Sequence, residues 1–176
     1  VEDRQFPLTG GAGSDAVHTS PVYAYAVCRL KTDAGFDGVG IAFTLGAGNE
    51  IVCLAVKHLA QSLIGRELYE LMSRFGAEFA ALTDSPAYRW LGPHKGVVHL
   101  ALAGIVNACF DLWAKAEGVP LWRLLLDRSP EEILSLLDFR YVEDVLTKEE
   151  ALEILRAGQA GRAERETVLQ SGYRGY

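Results

Sequence analysis

The stretch Ala101–Asp127, ALAGIVNACFDLWAKAEGVPLWRLLLD, constrains the fold of this chain more than any other. Apolar residues recur at helical spacing through Leu102, Ile105, Val106, Cys109, Phe110, Leu112, Trp113 and Ala116. A helix with that pattern is apolar round nearly its whole circumference, so other elements must enclose it. Gly118 predicts a left-handed C-cap, and Pro120 opens a further helical turn where a missing N–H costs nothing. Leu121, Trp122, Leu124 and Leu125 then fold a short second helix back onto the first.

The elements that enclose it are legible upstream. Residues 1–7 read as the end of a strand closed by Pro7, and residues 8–20 as a Gly-rich polar loop. Tyr23, Tyr25, Val27 and Arg29 alternate with Ala24, Ala26, Cys28 and Leu30, the period of a strand with one buried face. Asp33-Ala34-Gly35 and Asp37-Gly38 turn the chain, and Val39–Leu45 returns as a third strand, making an antiparallel meander. Gly46-Ala47-Gly48-Asn49 is a second Gly-rich loop, with Asn49 expected to cap a helix over Glu50–Leu63. One amphipathic helix is predicted over Glu67–Leu82, then a loop over Asp84–Lys95.

Beyond the buried helix, Ser129-Pro130 is an N-cap followed by Pro, and Leu137–Val142 reads as an isolated strand. Thr147-x-x-Glu150 is a capping box opening an amphipathic helix, and a second, over Ala163–Leu169, is closed by Gly172. Strands followed by helices, then one strand and more helices, describe an α+β domain followed by the opening of an α/β unit.

The net charge of −6 and pI near 5.2 argue against a nucleic-acid partner, which requires clustered Lys and Arg. Arg156, Arg162 and Arg165 group only loosely, among Glu164 and Glu166, and read as a solvated helix face. Cys28, Cys53 and Cys109 follow no metal-ligand spacing and are expected as buried free thiols. His99, Asn107 and Asp111 interrupt the longest apolar run, Val97–Ala116, which is therefore expected in a core rather than a membrane. A soluble protein of a reducing intracellular compartment, cytoplasmic or mitochondrial, is expected. The chain opens at Val1 without Met and closes at Tyr176 in a loop pattern, so both ends are expected to be cut.

No complete catalytic set is visible. Lys31, Lys57, Lys95, Lys115 and Lys148 form no Lys-x-Lys pair, and His18, His58, His94 and His99 share no ligand spacing. What remains are the two Gly-rich loops, one with Ser14, Asp15 and His18, the other with Thr44 and Asn49. They read either as plain hairpin connections or as mobile lid elements.

The helix leading into Gly118-Val119-Pro120-Leu121 resembles the end of the capping domain in the enolase superfamily. Further runs carry the resemblance, specifically toward its L-fuconate dehydratase-like acid-sugar dehydratases. They are Arg4-Gln5-Phe6-Pro7, Gly13-Ser14-Asp15-Ala16, Phe43-Thr44-Leu45-Gly46 with Gly48-Asn49, and Arg89-Trp90-Leu91-Gly92-Pro93 with Lys95-Gly96-Val97. Asp138-Phe139-Arg140-Tyr141 and Gly172-Tyr173 complete the set. His94 departs from the pattern, which has Glu there, and Arg174-Gly175 stands where Pro-Ala is expected.

The resemblance implies an α+β capping domain, a three-stranded antiparallel meander plus helical bundle over residues 1–136. It leads into the first strand of an incomplete (β/α) barrel over residues 137–176. It implies that Gly13, Ser14 and Asp15 belong to a loop closing over a sugar acid, and that Tyr23 contacts substrate, the alternative for Tyr23 being a packed strand aromatic. Arg89 and Trp90 border either that pocket or an interface between cap and barrel.

The implied chemistry is Mg²⁺-dependent removal of water from a sugar acid, giving a 2-keto-3-deoxy acid. Its base and metal carboxylates stand on later barrel strands, so no catalytic or metal residue is assigned within this chain, which alone is expected to be inactive. The partners expected are a small-molecule sugar acid and the remainder of the barrel or a second chain supplying it, with no nucleic acid and no membrane. A homo-oligomer is expected of the complete protein. The alternatives are a truncated, non-catalytic cap serving as a binding or assembly module, and a dehydratase for another sugar acid, such as galactonate or rhamnonate.

Overall fold

The computed structural model describes residues 1–9, 13–19, 22–91 and 96–172. Strands β1 (Glu2–Pro7), β2 (Val22–Lys31) and β3 (Asp37–Thr44) form an antiparallel sheet in sequence order. The register pairs Pro7 with Val22, and Ala24 with Thr44. The expected meander is therefore present, with Ala24, Ala26, Cys28 and Ala42 on its buried face.

That face carries small side chains because a helix lies tight against it. Helix α4 (Val97–Ala116) crosses β3 so closely that a Cβ on Gly40 would stand 2.0 Å from the Gly104 carbonyl oxygen. No other residue type fits there. Leu102, Ile105, Ala108 and Cys109 of α4 fill the centre of the core, and Val52, Val56 and Leu59 of α1 (Asn49–Leu59) flank them. By length and composition α4 could cross a membrane, but it packs here as the central helix of the fold. Asp111 accepts the Val39 N–H at 2.7 Å and pairs with Lys115, which uses both polar side chains at the sheet edge.

Gly118 closes α4 as expected, in the left-handed conformation, with the Val119 N–H donating to Ala114 and its own to Lys115. Pro120 stands at the N-cap of α5 (Leu121–Leu126), one place before the position expected. The capping boxes Ser129/Glu132 of α6 (Pro130–Ser135) and Thr147/Glu150 of α7 (Lys148–Ala157) both form. Helix α8 (Arg162–Ser171) ends at Gly172, and Tyr173–Tyr176 lie outside the described residues.

Four expectations are corrected. Asn49 does not cap α1: Gly48 holds the N-cap position at φ 82°, and the Asn49 side chain turns inward. The helix expected over Glu67–Leu82 is two, α2 (Leu68–Ser73) and α3 (Phe75–Thr83), broken at Arg74 (φ −138°, ψ 34°). The break lays Gly76 against the Leu137 backbone, where a Cβ would meet the carbonyl oxygen at 2.1 Å.

Leu137–Val142, expected as a first barrel strand, is not a strand. Among the described residues no strand follows β3. The Phe139 carbonyl accepts the N–H groups of Val142 and Glu143, and the Val142 carbonyl those of Val145 and Leu146, so the backbone closes successive helical turns. A strand needs a ladder partner; here Arg140 instead clamps the segment to Asp138 at 2.6 Å, Thr83 at 2.9 Å and Asp84 at 3.0 Å.

The group Arg156, Arg162 and Arg165 is also more than a solvated face. Arg156 pairs with Glu131 at 2.7 Å, Arg162 pairs with Asp127, and Arg165 donates to the Gly158 carbonyl at 2.6 Å. With the Arg123–Glu166 pair, the Arg156 and Arg162 pairs tie α7 and α8 back onto α5 and α6.

Candidate functional site at the loop end of the sheet

Because Pro7 pairs with Val22 and Thr44 with Ala24, the β1–β2 loop and the β3–α1 loop leave the same end of the sheet. Helix α4 runs antiparallel to β3, with Ala108 over Gly38 and Gly104 over Gly40, so its first residues lie toward that end too. Three segments singled out for their resemblance thus gather at one end of the fold.

The outward face of the sheet carries an aromatic row. The Tyr23 and Phe43 rings meet edge to face at 5.0 Å, Tyr25 lies 5.6 Å from Phe43, and Phe6 5.9 Å from Tyr25. Gly13 folds over the end of this row at φ 69°, and a Cβ there would stand 2.9 Å from the Tyr23 hydroxyl. Both the backbone conformation and the close approach require glycine. The structure therefore brings two of the expected site residues, Gly13 and Tyr23, into contact, and Tyr23 is half-buried by Phe43 and the loop.

Ser14 and Asp15 follow on the exposed part of the loop. Asp15 Oδ1 accepts the N–H groups of Val17 and His18, both at 2.7 Å, while the Asp15 N–H donates to the His18 carbonyl at 3.1 Å. His18 Nδ1 lies 3.1 Å from Asp15 Oδ2. The two backbone donors, with His18 beside them, lower the Asp15 carboxyl from 3.8 to about 2. The carboxylate is thus engaged by its own loop. Gly10, Gly11, Ala12, Ser20 and Pro21 lie outside the described residues.

The second loop is anchored from below. Asn49, with no exposed surface, donates from Nδ2 to Asp3 at 2.7 Å and accepts the Thr44 hydroxyl at 2.8 Å. Gly46 of this loop packs against Val22, at the base of the first. The two loops are therefore neighbours on one rim.

A separate groove of about 870 Å³ lies between α1, the turn over Pro86–Trp90 and the start of α4. Ile51, Leu54, His58, Tyr88, Leu91 and Val98 line it, and Trp90 stands 92% exposed next to Leu91 in sequence. The Arg89 side chain, Gly92, Pro93, His94 and Lys95 lie outside the described residues. Among the described residues no three His, Cys, Asp or Glu side chains gather as a metal site, so no step through a metal is derived within this chain.

Sequence reasoning had found Gly13 and Tyr23 but not their contact, which depends on how the loop folds back. It named His18 in the same loop without joining it to Asp15, although an Asp followed three residues later by a His was a readable local pattern. Phe43 becomes visible only once the strand register sets it beside Tyr23.

Residues 13–125 match the N-terminal domain of the mandelate racemase / muconate lactonizing enzyme family. The whole chain is 51% identical to mitochondrial enolase superfamily member 1 of Bos taurus, covering 41% of that protein. The crystal structure of the human mitochondrial enolase superfamily member 1 is 49% identical and matches 94% of this chain with a TM-score of 0.89, over 38% of its own chain. L-galactonate dehydratase of Hypocrea jecorina is 44% identical over 96% of this chain and 38% of its own length. The chain thus spans about two fifths of the length of these relatives. With the sheet, the helices and the paired loops in place, the chain belongs to the enolase superfamily, as its N-terminal capping domain.

Proposed function

We propose that this chain is the substrate-covering cap of an acid-sugar dehydratase that acts on L-fuconate or an acid of the same C2–C5 configuration. The observation that carries the reading is the rim at one end of the sheet. Gly13 lies against Tyr23, and the neighbouring Gly46 loop is held by Asn49. Short side chains and exposed backbone there suit a hydroxyl-rich ligand. The 44% identity to L-galactonate dehydratase supports the sugar configuration, since L-fuconate is the 6-deoxy form of L-galactonate.

In such a reaction a base removes the proton at C2, the C3 hydroxyl takes a proton from a general acid and leaves as water, and the enol tautomerises to the 2-keto-3-deoxy acid. The base, and the carboxylates holding Mg²⁺, would stand on barrel strands outside this chain; the bound cation would stabilise the enediolate. The cap's own part is to cover the acid, exclude water and orient its distal hydroxyls. Residues 137–172 would lead toward the barrel, and the apolar groove beside Trp90 is the surface suited to meet it. The buried free thiols suit the reducing compartment proposed for it.

The test is to assay the polypeptide in which this chain is continued by a barrel, with Mg²⁺ and a panel of sugar acids including L-fuconate and L-galactonate. Formation of a 2-keto-3-deoxy acid is expected. No turnover of any sugar acid would end this reading.

A further inference from the structure

The outward face of the sheet is apolar, whereas an antiparallel sheet open to water alternates apolar-in with polar-out. The register sets Phe6, Tyr25, Val27, Val39, Ile41 and Phe43 on that face. Ala24, Ala26, Cys28 and Ala42 take the other, beneath α1 and α4. Phe6 is 53% exposed and Ile41 and Phe43 46% each, so no described element covers them. Ring contacts at 5.9 and 5.6 Å hold Phe6, Tyr25 and Phe43 in one row. Charged side chains border the patch along β1 and at the turn between β2 and β3. Glu2 pairs with Arg4 at 2.5 Å and with Arg29 at 3.5 Å, Arg29 lies 3.9 Å from Asp37, and Lys31 stands opposite Asp37 in the ladder.

We infer that this face binds a second copy of the chain, the two sheets meeting face to face about a twofold axis. Such an axis brings the same patch to both sides, so apolar side chains meet apolar ones. The border suits that arrangement. It holds both signs of charge although the chain as a whole carries −6, so two copies approach here without the repulsion that acts between their surfaces at large. The barrel proposed above approaches from elsewhere: the groove beside Trp90 and residues 137–172 belong to the helix layer, across the sheet from this face. Tyr141 lines that groove, and Leu137 packs on Gly76 of α3. Nor is the contact a strand added at the edge of the sheet. Over the first part of β3, Asp111 accepts the Val39 N–H at 2.7 Å and Lys115 donates to the Asp37 carbonyl at 2.8 Å, which blocks pairing there.

The test uses the polypeptide in which this chain is continued by a barrel, so that the groove beside Trp90 is not left open. Sedimentation is expected to give twice the mass of one polypeptide or a multiple of it. Hydroxyl-radical footprinting read by mass spectrometry is expected to show Phe6, Tyr25 and Phe43 protected in the assembly and reactive on dilution. Ile41→Lys sets a charge within the patch and is expected to raise the dissociation constant about a hundredfold. Ile154→Lys, on the exposed side of α7, is expected to leave it unchanged. A monomer at every concentration overturns the inference, whether or not the three rings are protected. An assembly in which they stay reactive overturns it too, as does one that a folded Ile41→Lys variant forms equally well. If Ile41→Lys does not fold, the footprint of the unsubstituted polypeptide decides alone. Turnover of sugar acids is no part of the readout, so failure of the dehydratase reading leaves the result standing.

Discussion

The Asn49 amide donates to Asp3 Oδ1 at 2.7 Å, joining the first turn of α1 to β1 across the buried end of the sheet. The same side chain accepts from Thr44 at the end of β3, so one residue ties three elements. Asn49→Ala would leave Asp3 and Thr44 without this partner and is expected to lower stability by about 1–3 kcal/mol. Urea unfolding measures it, and an unchanged midpoint would remove Asn49 as the tie.

Gly40 and Gly35 make a matched pair of tests. A Cβ on Gly40 would collide with the α4 backbone, whereas Gly35 has open space but a φ of 83°. Gly35→Ala is expected to lose only about 1–2 kcal/mol, from left-handed strain. Gly40→Ala must push α4 off the sheet and is expected to lose more than that or to prevent folding. Thermal unfolding of the two variants side by side checks the order.

The loop pair carries its own pH dependence. Asp15 ionises at about 2 in the folded loop against an ordinary 3.8, so the folded loop favours the carboxylate. Its contribution is whole above pH 4 and is lost as the pH falls toward 2. Amide exchange at Val17 and His18, followed from pH 5 to pH 2, is expected to speed up beyond the intrinsic rate over that range. Asp15→Asn should flatten the change.

Burial pushes the Cys28 thiol up to about 11 and the Cys109 thiol to about 12. Both should resist iodoacetamide at pH 8 in the folded chain and react once it is unfolded, as mass spectrometry would show. The unfolded chain ionises these thiols from about pH 9 and the fold does not, so stability should decline as the pH rises above 9. Labelling of Cys109 without unfolding would contradict the packing of α4.

Much of the architecture was readable because it follows from local rules. Period-two alternation marked β2, and Thr147 with Glu150 announced a helix start that the hydrogen bonds reproduce. The misreadings came where a local preference met a distant partner. Asn49 is a fine N-cap residue, but Asp3 and Thr44 offered its amide a buried site. Leu137–Val142 has strand-forming residues, but no strand lies beside it among the described residues, and Arg140 binds Asp84 instead.

The candidate site divides in the same way. Family resemblance singled out Gly13, Ser14, Asp15 and Tyr23 from the order of short matching runs. Nothing in that order shows that Gly13 rests on the Tyr23 hydroxyl, or that Asp15 spends its oxygens on Val17 and His18.

Periodicity, caps and turn residues act over a few neighbouring positions, so the chain alone specified the meander, the buried helix and the helix starts at Ser129 and Thr147. Partner choice needed the folded molecule. Which acceptor a buried amide takes and whether an apolar run becomes a strand depend on groups far apart in sequence. Only packing brings those groups to within 3 or 4 Å of one another.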